Sequence, residues 1–208
     1  MSDELGKRLS AARKWDVEDA ARKAGTTLVE NAAAGGLVDV AYAWVDSPLG
    51  RLLAARTTKG LARISYVGEN EDLILTDLAD RISPRVLEAP ARLDDLRREL
   101  DEYFHGRRQG FDVPIDWGLT SGFGRRVLKA TARIPFGRIS SYKQIAAAAG
   151  SPRGSRAAGN ALGANPIPIV VPCHRVLATG GKIGGYTGGL EKKEWLLTLE
   201  GYLEPAGE

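Results

Sequence analysis

A chain of 208 residues with 43% hydrophobic and 26% charged residues can bury a sizeable core, as one large domain or two small ones, and its composition argues against disorder. No apolar run approaches the roughly 20 residues of a membrane span; the charged start, MSDELGKRLSAARKW, also lacks the apolar stretch of a secretory signal, so a soluble intracellular protein without membrane attachment is expected. The net charge of +3 conceals an asymmetry, because residues 121–190 hold ten Lys or Arg and no Asp or Glu, leaving 19 basic against 26 acidic residues elsewhere.

Residues 1–35 read as a polar, Ala-rich helical stretch with Leu5, Leu9 and Ala12 on one face, either a docking helix or a frayed extension. From Val38 the pattern becomes short β-type runs, VDVAYAWV, RLLAARTT and LARISYV. They are joined by Ser47-Pro-Leu-Gly50 and Lys59-Gly60, which predicts an antiparallel meander. Helical period returns over Ala91–Phe104, with Leu93, Leu96, Leu100, Tyr103 and Phe104 on one stripe, and Asp112–Trp117 reads as a linker. The expected fold class is α+β. An N-terminal extension (1–37) precedes a small antiparallel-sheet and helix domain (38–117), and a mostly helical domain (118–208) follows.

In the second half, Phe123–Ile134 predicts a helix stopped by Pro135-Phe-Gly137, and Ser141 is placed to cap a helix over Tyr142–Ala149. After the turn Ser151-Pro-Arg-Gly154 comes a short helix, Ser155–Gly163, completing a helix-turn-helix pattern. Any packed helical hairpin looks similar. Inside a basic segment free of carboxylates, however, the pattern points to DNA. The last helix opens with Arg156 and continues through Ala157, Ala158 and Gly159 with little side-chain bulk. That suits close approach to a narrow minor groove better than base readout in the major groove; burial against another helix is the alternative.

The strongest signal is Asn165-Pro-Ile-Pro-Ile-Val-Val-Pro-Cys-His-Arg-Val176, in which an apolar strand-like run, Ile167–Val171, is stopped by Pro172 before Cys173, His174 and Arg175. Cys173 is the only cysteine, so an intramolecular disulfide is excluded, and with only His105 and His174 as imidazoles so is a Cys/His zinc site. A lone cysteine is by default a small buried hydrophobe. Sulfur attacks as the thiolate, which neighbouring cationic and hydrogen-bonding groups favour; His174 and Arg175 supply both. Adjacent residues need not face each other, and a bridging water or the turn at Pro172 is then needed to connect them.

Pro-Cys-His-Arg, preceded by Asn165-Pro and followed by Gly184-Gly-Tyr-Thr-Gly-Gly-Leu190 and Glu194-Trp-Leu-Leu197, closely resembles the O6-alkylguanine-DNA alkyltransferases. The resemblance is dense over 124–201, looser over 38–117 and absent from 1–37. It implies direct-reversal repair with methylated-DNA–protein-cysteine S-methyltransferase activity: one irreversible transfer of an alkyl group from O6-alkylguanine in duplex DNA, after base flipping through the minor groove. By the resemblance Cys173 is the acceptor, His174 the base acting through a water, and Glu200 the carboxylate orienting it. Asn165 ties the active-site turn to the DNA-binding helix, and Tyr142 helps turn out the nucleotide and bonds the leaving base. Arg156 fills the vacated stack, with Ala157, Ala158, Gly159 and Arg175 also on the DNA side. Tyr186, Thr187 and Gly188 line the base pocket, and Pro168 and Val176 form its walls. No cofactor and no metal are implied; the partner is double-stranded DNA, bound by a protein that is monomeric in solution, with cooperation on DNA left open, as is activity on O4-alkylthymine. The implied compartment is the cytoplasm, or the nucleus in a eukaryote. The rivals are a non-catalytic lesion-binding protein, a helix-turn-helix regulator and a cysteine hydrolase.

Overall fold

The computed structural model describes residues 35–204 apart from positions 67 and 69, together with Ala20, Ala24, Gly25 and Thr27. The helical reading of the N-terminal stretch, including Leu5, Leu9 and Ala12, lies outside the described residues. Strands β1 (Val40–Val45), β2 (Leu52–Thr57) and β3 (Gly60–Tyr66) form the expected antiparallel meander. A helix, α1 (Glu71–Arg81), then returns the chain to a short strand β4 (Val86–Glu88) that pairs parallel with β1, giving the order β3-β2-β1-β4.

The return through α1 and the parallel strand were not anticipated, yet α1 carries ordinary helix signals. Asn70 caps it by accepting from the Asp72 amide at 3.0 Å, Glu71 and Asp72 occupy the first turn and Arg81 the last, as the helix dipole favours. Its buried pair Ile74 and Leu78, one turn apart, covers Val40, Leu53 and Ala55 on one face of the sheet. The other face (Ala41, Ala43, Leu52 and Ala54) belongs to the main core. The central strands are therefore buried on both sides, which explains why they read as apolar runs and not as strict alternation.

Against that main core lies α2 (Asp94–Phe104), burying Leu96, Leu100, Tyr103 and Phe104 behind an acidic first turn. Residues 112–117 do not form a free linker. They run parallel to β3, with the Leu61 amide donating to Pro114 O at 2.7 Å and the Asp116 amide to Leu61 O at 2.8 Å. Gly60 makes this approach possible: its φ is +138°, and a Cβ there would sit 2.2 Å from Pro114 O.

The helical half comprises α3 (Gly122–Thr131), α4 (Tyr142–Ala148), α5 (Ser155–Gly163) and α6 (Leu190–Leu199), with a two-residue parallel pairing of β5 (Ser140–Ser141) and β6 (Val176–Leu177). One continuous apolar cluster runs from the sheet through Val127, Ile145 and Val171 to Leu196, so the halves share a core. The expected strand Ile167–Val171 is instead a compact turn. Pro166, Pro168 and Pro172 deprive it of ladder donors, and the Val171 amide bonds locally to Ile167 O at 2.9 Å. Buried Ile169 holds φ at 74°, a conformation costly for a β-branched residue and tolerated where packing dictates it. Among the described residues no helix is long and apolar enough to cross a membrane.

Candidate active site

The turn delivers Cys173 to the first position of a single helical turn, Cys173–Arg175, with its side chain 5% exposed. Asn165, at the end of α5, braces this arrangement. Its Oδ1 accepts from the Ile167 amide at 3.1 Å, and its Nδ2 donates to Val171 O at 2.9 Å and to Cys173 Sγ at 3.1 Å. Burial pushes the Cys173 thiol up to about 11, against the bond from Asn165 and the charge of Lys193, which favour the thiolate. At pH 7 that leaves only about one molecule in ten thousand as thiolate. Attack therefore has to be coupled to removal of the proton.

Next to Cys173 in the chain, His174 forms a buried pair with Glu200. His174 is fully buried, and its Nε2 lies 2.9 Å from Glu200 Oε1, which fixes Nε2 as the donor and leaves Nδ1 as a bare acceptor. Nδ1 has no hydrogen-bond partner, alone in this respect among buried side-chain atoms of the described residues. Burial, followed by the charges of Arg175 and Lys193, lowers the His174 pKa despite Glu200, so the ring rests as a neutral base. Glu200 also accepts from Tyr103 Oη at 2.6 Å, from Arg175 Nη2 at 2.8 Å and Nε at 2.9 Å, and from the Gly137 amide at 3.3 Å. Burial alone would raise this carboxyl; the bonds and charge of His174 and Arg175 outweigh it and hold Glu200 at about 2.

The expected placement of Arg175 on the DNA side is corrected here. Its guanidinium is buried, bidentate to Glu200, and donates to Ile134 O at 2.5 Å. The cation that does act on Cys173 was missed. Lys193, on α6, is fully buried and donates to Val176 O at 2.8 Å and Gly184 O at 3.1 Å. Burial lowers its pKa to about 8, while the Cys173 charge opposes the shift. Its sequence signal was available: Lys193 and Glu200 flank Leu196 and Leu197 at helical spacing, placing both charges on a buried stripe.

Cys173 opens into a cavity of about 250 Å³ lined by Tyr142, Gly159, Leu162, Gly163, Gly185, Tyr186 and Thr187. The structure therefore brings Tyr142, Gly159, Tyr186 and Thr187 together with the thiol. Gly188, Pro168 and Val176 do not line this cavity. Gly188 backs onto the Tyr66 ring, Pro168 lines an adjacent cavity of about 150 Å³, and Val176 is buried in β6. Tyr142 is seated by two glycines. Its ring lies 3.7 Å from the Cβ position of Gly159, and its hydroxyl 2.7 Å from that of Gly184. Burial raises its pKa, so it stays a hydroxyl donor.

On the rim, α4 begins with a reciprocal cap, the Gln144 amide donating to Ser141 Oγ at 3.2 Å and the Ser141 amide to Gln144 Oε1 at 2.8 Å. The turn to α5 uses Gly150 at φ +84°. Arg156 and Ala157 face outward, whereas Ala158 is fully buried, so its expected place on the DNA side is also corrected. The small residues of α5 thus serve two faces, Ala158 packing inward, Gly159 receiving Tyr142 and Ala157 leaving the outer surface low. Of the ten basic residues, Arg126, Lys129, Arg133, Arg138, Lys143, Arg153, Arg156 and Lys182 are exposed.

Fold and site together define a protein in which a basic helix-turn-helix stands over a single buried cysteine nucleophile. Residues 40–117 match the family model of the 6-O-methylguanine DNA methyltransferase ribonuclease-like domain, and residues 122–202 that of the 6-O-methylguanine DNA methyltransferase DNA binding domain. The human methylated-DNA–protein-cysteine methyltransferase is 39% identical, over 76% of this chain and 79% of its own. The enzyme of the same name from Mycolicibacterium paratuberculosis is also 39% identical, over 80% and 96%. A crystal structure of Mycobacterium tuberculosis OGT in complex with DNA superimposes with a TM-score of 0.66 at 36% identity, covering 77% of this chain and 92% of that one. The chain belongs to the 6-O-methylguanine DNA methyltransferase family, as its motifs led us to expect.

Proposed function

We propose that this protein reverses O6-alkylation of guanine in duplex DNA by moving the alkyl group onto Cys173, once per molecule. The observation that carries the reading is a buried thiol that opens into a cavity, next in the chain to a buried histidine whose Nδ1 is unpartnered and whose other nitrogen is held by a carboxylate. The basic face binds the phosphates without regard to sequence. The damaged nucleotide turns out through the minor groove into the cavity, and Arg156, exposed at the start of α5, fills the space it leaves. The thiol proton passes to His174 Nδ1 through a bridging water while Glu200 stabilises the imidazolium and Lys193 the thiolate. Sulfur attacks the methyl carbon; the S–C bond forms as the C–O6 bond breaks. Tyr142 donates to the departing base, which leaves as guanine with a proton equal to the one the thiol lost. The thioether has no good leaving group, so the protein is spent.

In this reading residues 38–117 and 118–208 act as two domains, and the protein works as a monomer in the cytoplasm, or in the nucleus of a eukaryotic cell. Intact-protein mass after mixing with a duplex holding one O6-methylguanine tests it. A gain of one methyl in place of hydrogen, on the Cys173 peptide and at most one per molecule, is expected. Tight lesion binding with no gain would instead identify a damage-binding protein.

A further inference from the structure

The strand β3 ends at Tyr66, and this end touches the active site at two points. The Ile64 amide donates to Pro166 O at 2.8 Å, one residue from the Asn165 that braces Cys173. Tyr66, 7% exposed, places its hydroxyl 2.7 Å from the hydroxyl of Tyr186, and the two rings meet edge to face with centroids 6.2 Å apart. Tyr186 also meets the His174 ring at 6.4 Å, again edge to face. The loop carrying Tyr186 is fitted to Tyr66 as well, for a Cβ on Gly188 would stand 2.5 Å from the Tyr66 ring, and Lys192 Nζ lies 5.2 Å over that ring.

We propose that Tyr66 is a positioning residue for the alkyl pocket, holding the Tyr186 wall through the hydroxyl bridge and so setting how strongly the protein prefers a methyl over a bulky O6 substituent. Tyr66 does not line the cavity that reaches Cys173; Tyr186 does. Its effect therefore passes through Tyr186. Burial raises the pKa of both phenols, so each keeps its proton and the bridge persists over the working pH range. With the bridge in place the Tyr186 ring is fixed by its contacts with Tyr66 and His174, and a small substituent is held against the thiol. Without it the ring can swing, which loosens the grip on methyl and opens room for a larger group.

The inference rests on the alkyl-transfer reading, and single-turnover kinetics separate the two. Protein in excess is mixed with duplexes carrying O6-methylguanine or O6-benzylguanine, and the maximal rate and half-saturating concentration are read for each. Tyr66→Phe keeps the ring contacts and removes the bridge. Loss of one hydrogen bond predicts a fall of roughly fivefold in the maximal methyl rate, with a benzyl-to-methyl ratio raised by a similar factor. The half-saturating protein concentration should not change, a split that a general loss of structure would not produce. Tyr186→Phe removes the same bridge and should reproduce the effect. In the double variant the two changes should not add, which keeps the test decisive if one variant folds poorly. Transfer by the unaltered protein, with rate and ratio unchanged in both single variants, overturns the role of Tyr66 alone. No transfer by the unaltered protein overturns the alkyl-transfer reading and this inference with it.

Discussion

Replacing Arg175 with alanine separates a structural role from a DNA-contacting one. Arg175 is 5% exposed, and its guanidinium makes two bonds to Glu200 and a third to Ile134 O. Truncation leaves a buried carboxylate without its main counter-charge and a carbonyl without its donor. Breaking a buried ion pair from one side costs about 3–5 kcal/mol, against a total stability of about 5–15 kcal/mol for a typical protein. With a urea slope of about 2 kcal/mol per molar, the midpoint should fall by roughly 1.5–2.5 M. The assay is equilibrium unfolding in urea, followed by tryptophan fluorescence, paired with DNA binding across a salt series under conditions where the variant is folded. The expected result is a large midpoint shift with the salt dependence of DNA binding intact. An unchanged midpoint with weakened binding and a shallower salt slope would refute the argument and restore Arg175 to the DNA side.

Arg156→Ala should do the reverse: the side chain is exposed, so the urea midpoint holds while affinity for a lesion duplex drops, as fluorescence anisotropy at two salt concentrations will read. The Glu200 carboxyl, held at about 2 in the fold against an ordinary 4.5, adds stability that is fully present above pH 4.5 and is lost as pH falls towards 2. The loss amounts to about 3 kcal/mol. Urea midpoints measured between those limits should show it, and Glu200→Gln should flatten the profile. Gly184→Ala should slow transfer about tenfold, because its Cβ would lie 2.7 Å from Tyr142 Oη and overpacking of that size displaces the ring. A normal transfer rate in that variant would mean that the position of Tyr142 is not what the glycine protects.

The legible part of this protein was the part written in local sequence. The strands β1 to β3, the helix ending at Phe104, the Ser141 cap and the helix-turn-helix follow from period and turn chemistry over windows of a dozen residues. The reactive cysteine followed from its motif. What escaped depends on contacts distant in sequence. Tyr103 reads as one more aromatic on a buried stripe, yet its hydroxyl reaches Glu200, 97 residues away. Arg175 reads as one more charge in a basic segment, and only the fold reveals the carboxylate that buries it. Ala158 differs from Arg156 by two residues, which on a helix is more than half a turn and therefore the opposite face. The Ile167–Val171 turn is apolar enough to read as a strand, although Pro168 within it and Pro166 and Pro172 on either side remove the ladder donors.

The burial that makes Cys173 a poor acid also suits it to acting once. Reactive and oxidation-prone thiols are exposed and of low pKa; this one is neither, so at rest it persists as the protonated thiol. The rise from 9.0 to about 11 means that the site disfavours a thiolate by about 3 kcal/mol relative to an ordinary cysteine. Alkylation abolishes the charge, so the product is spared the penalty that the attacking species bears. A neutral thioether at this buried position, with Asn165 Nδ2 still able to donate to Val171 O, lies downhill of the thiolate and has no low-energy way back. In the proposed mechanism Lys193 and the His174–Glu200 pair are needed only for the interval in which the charge exists.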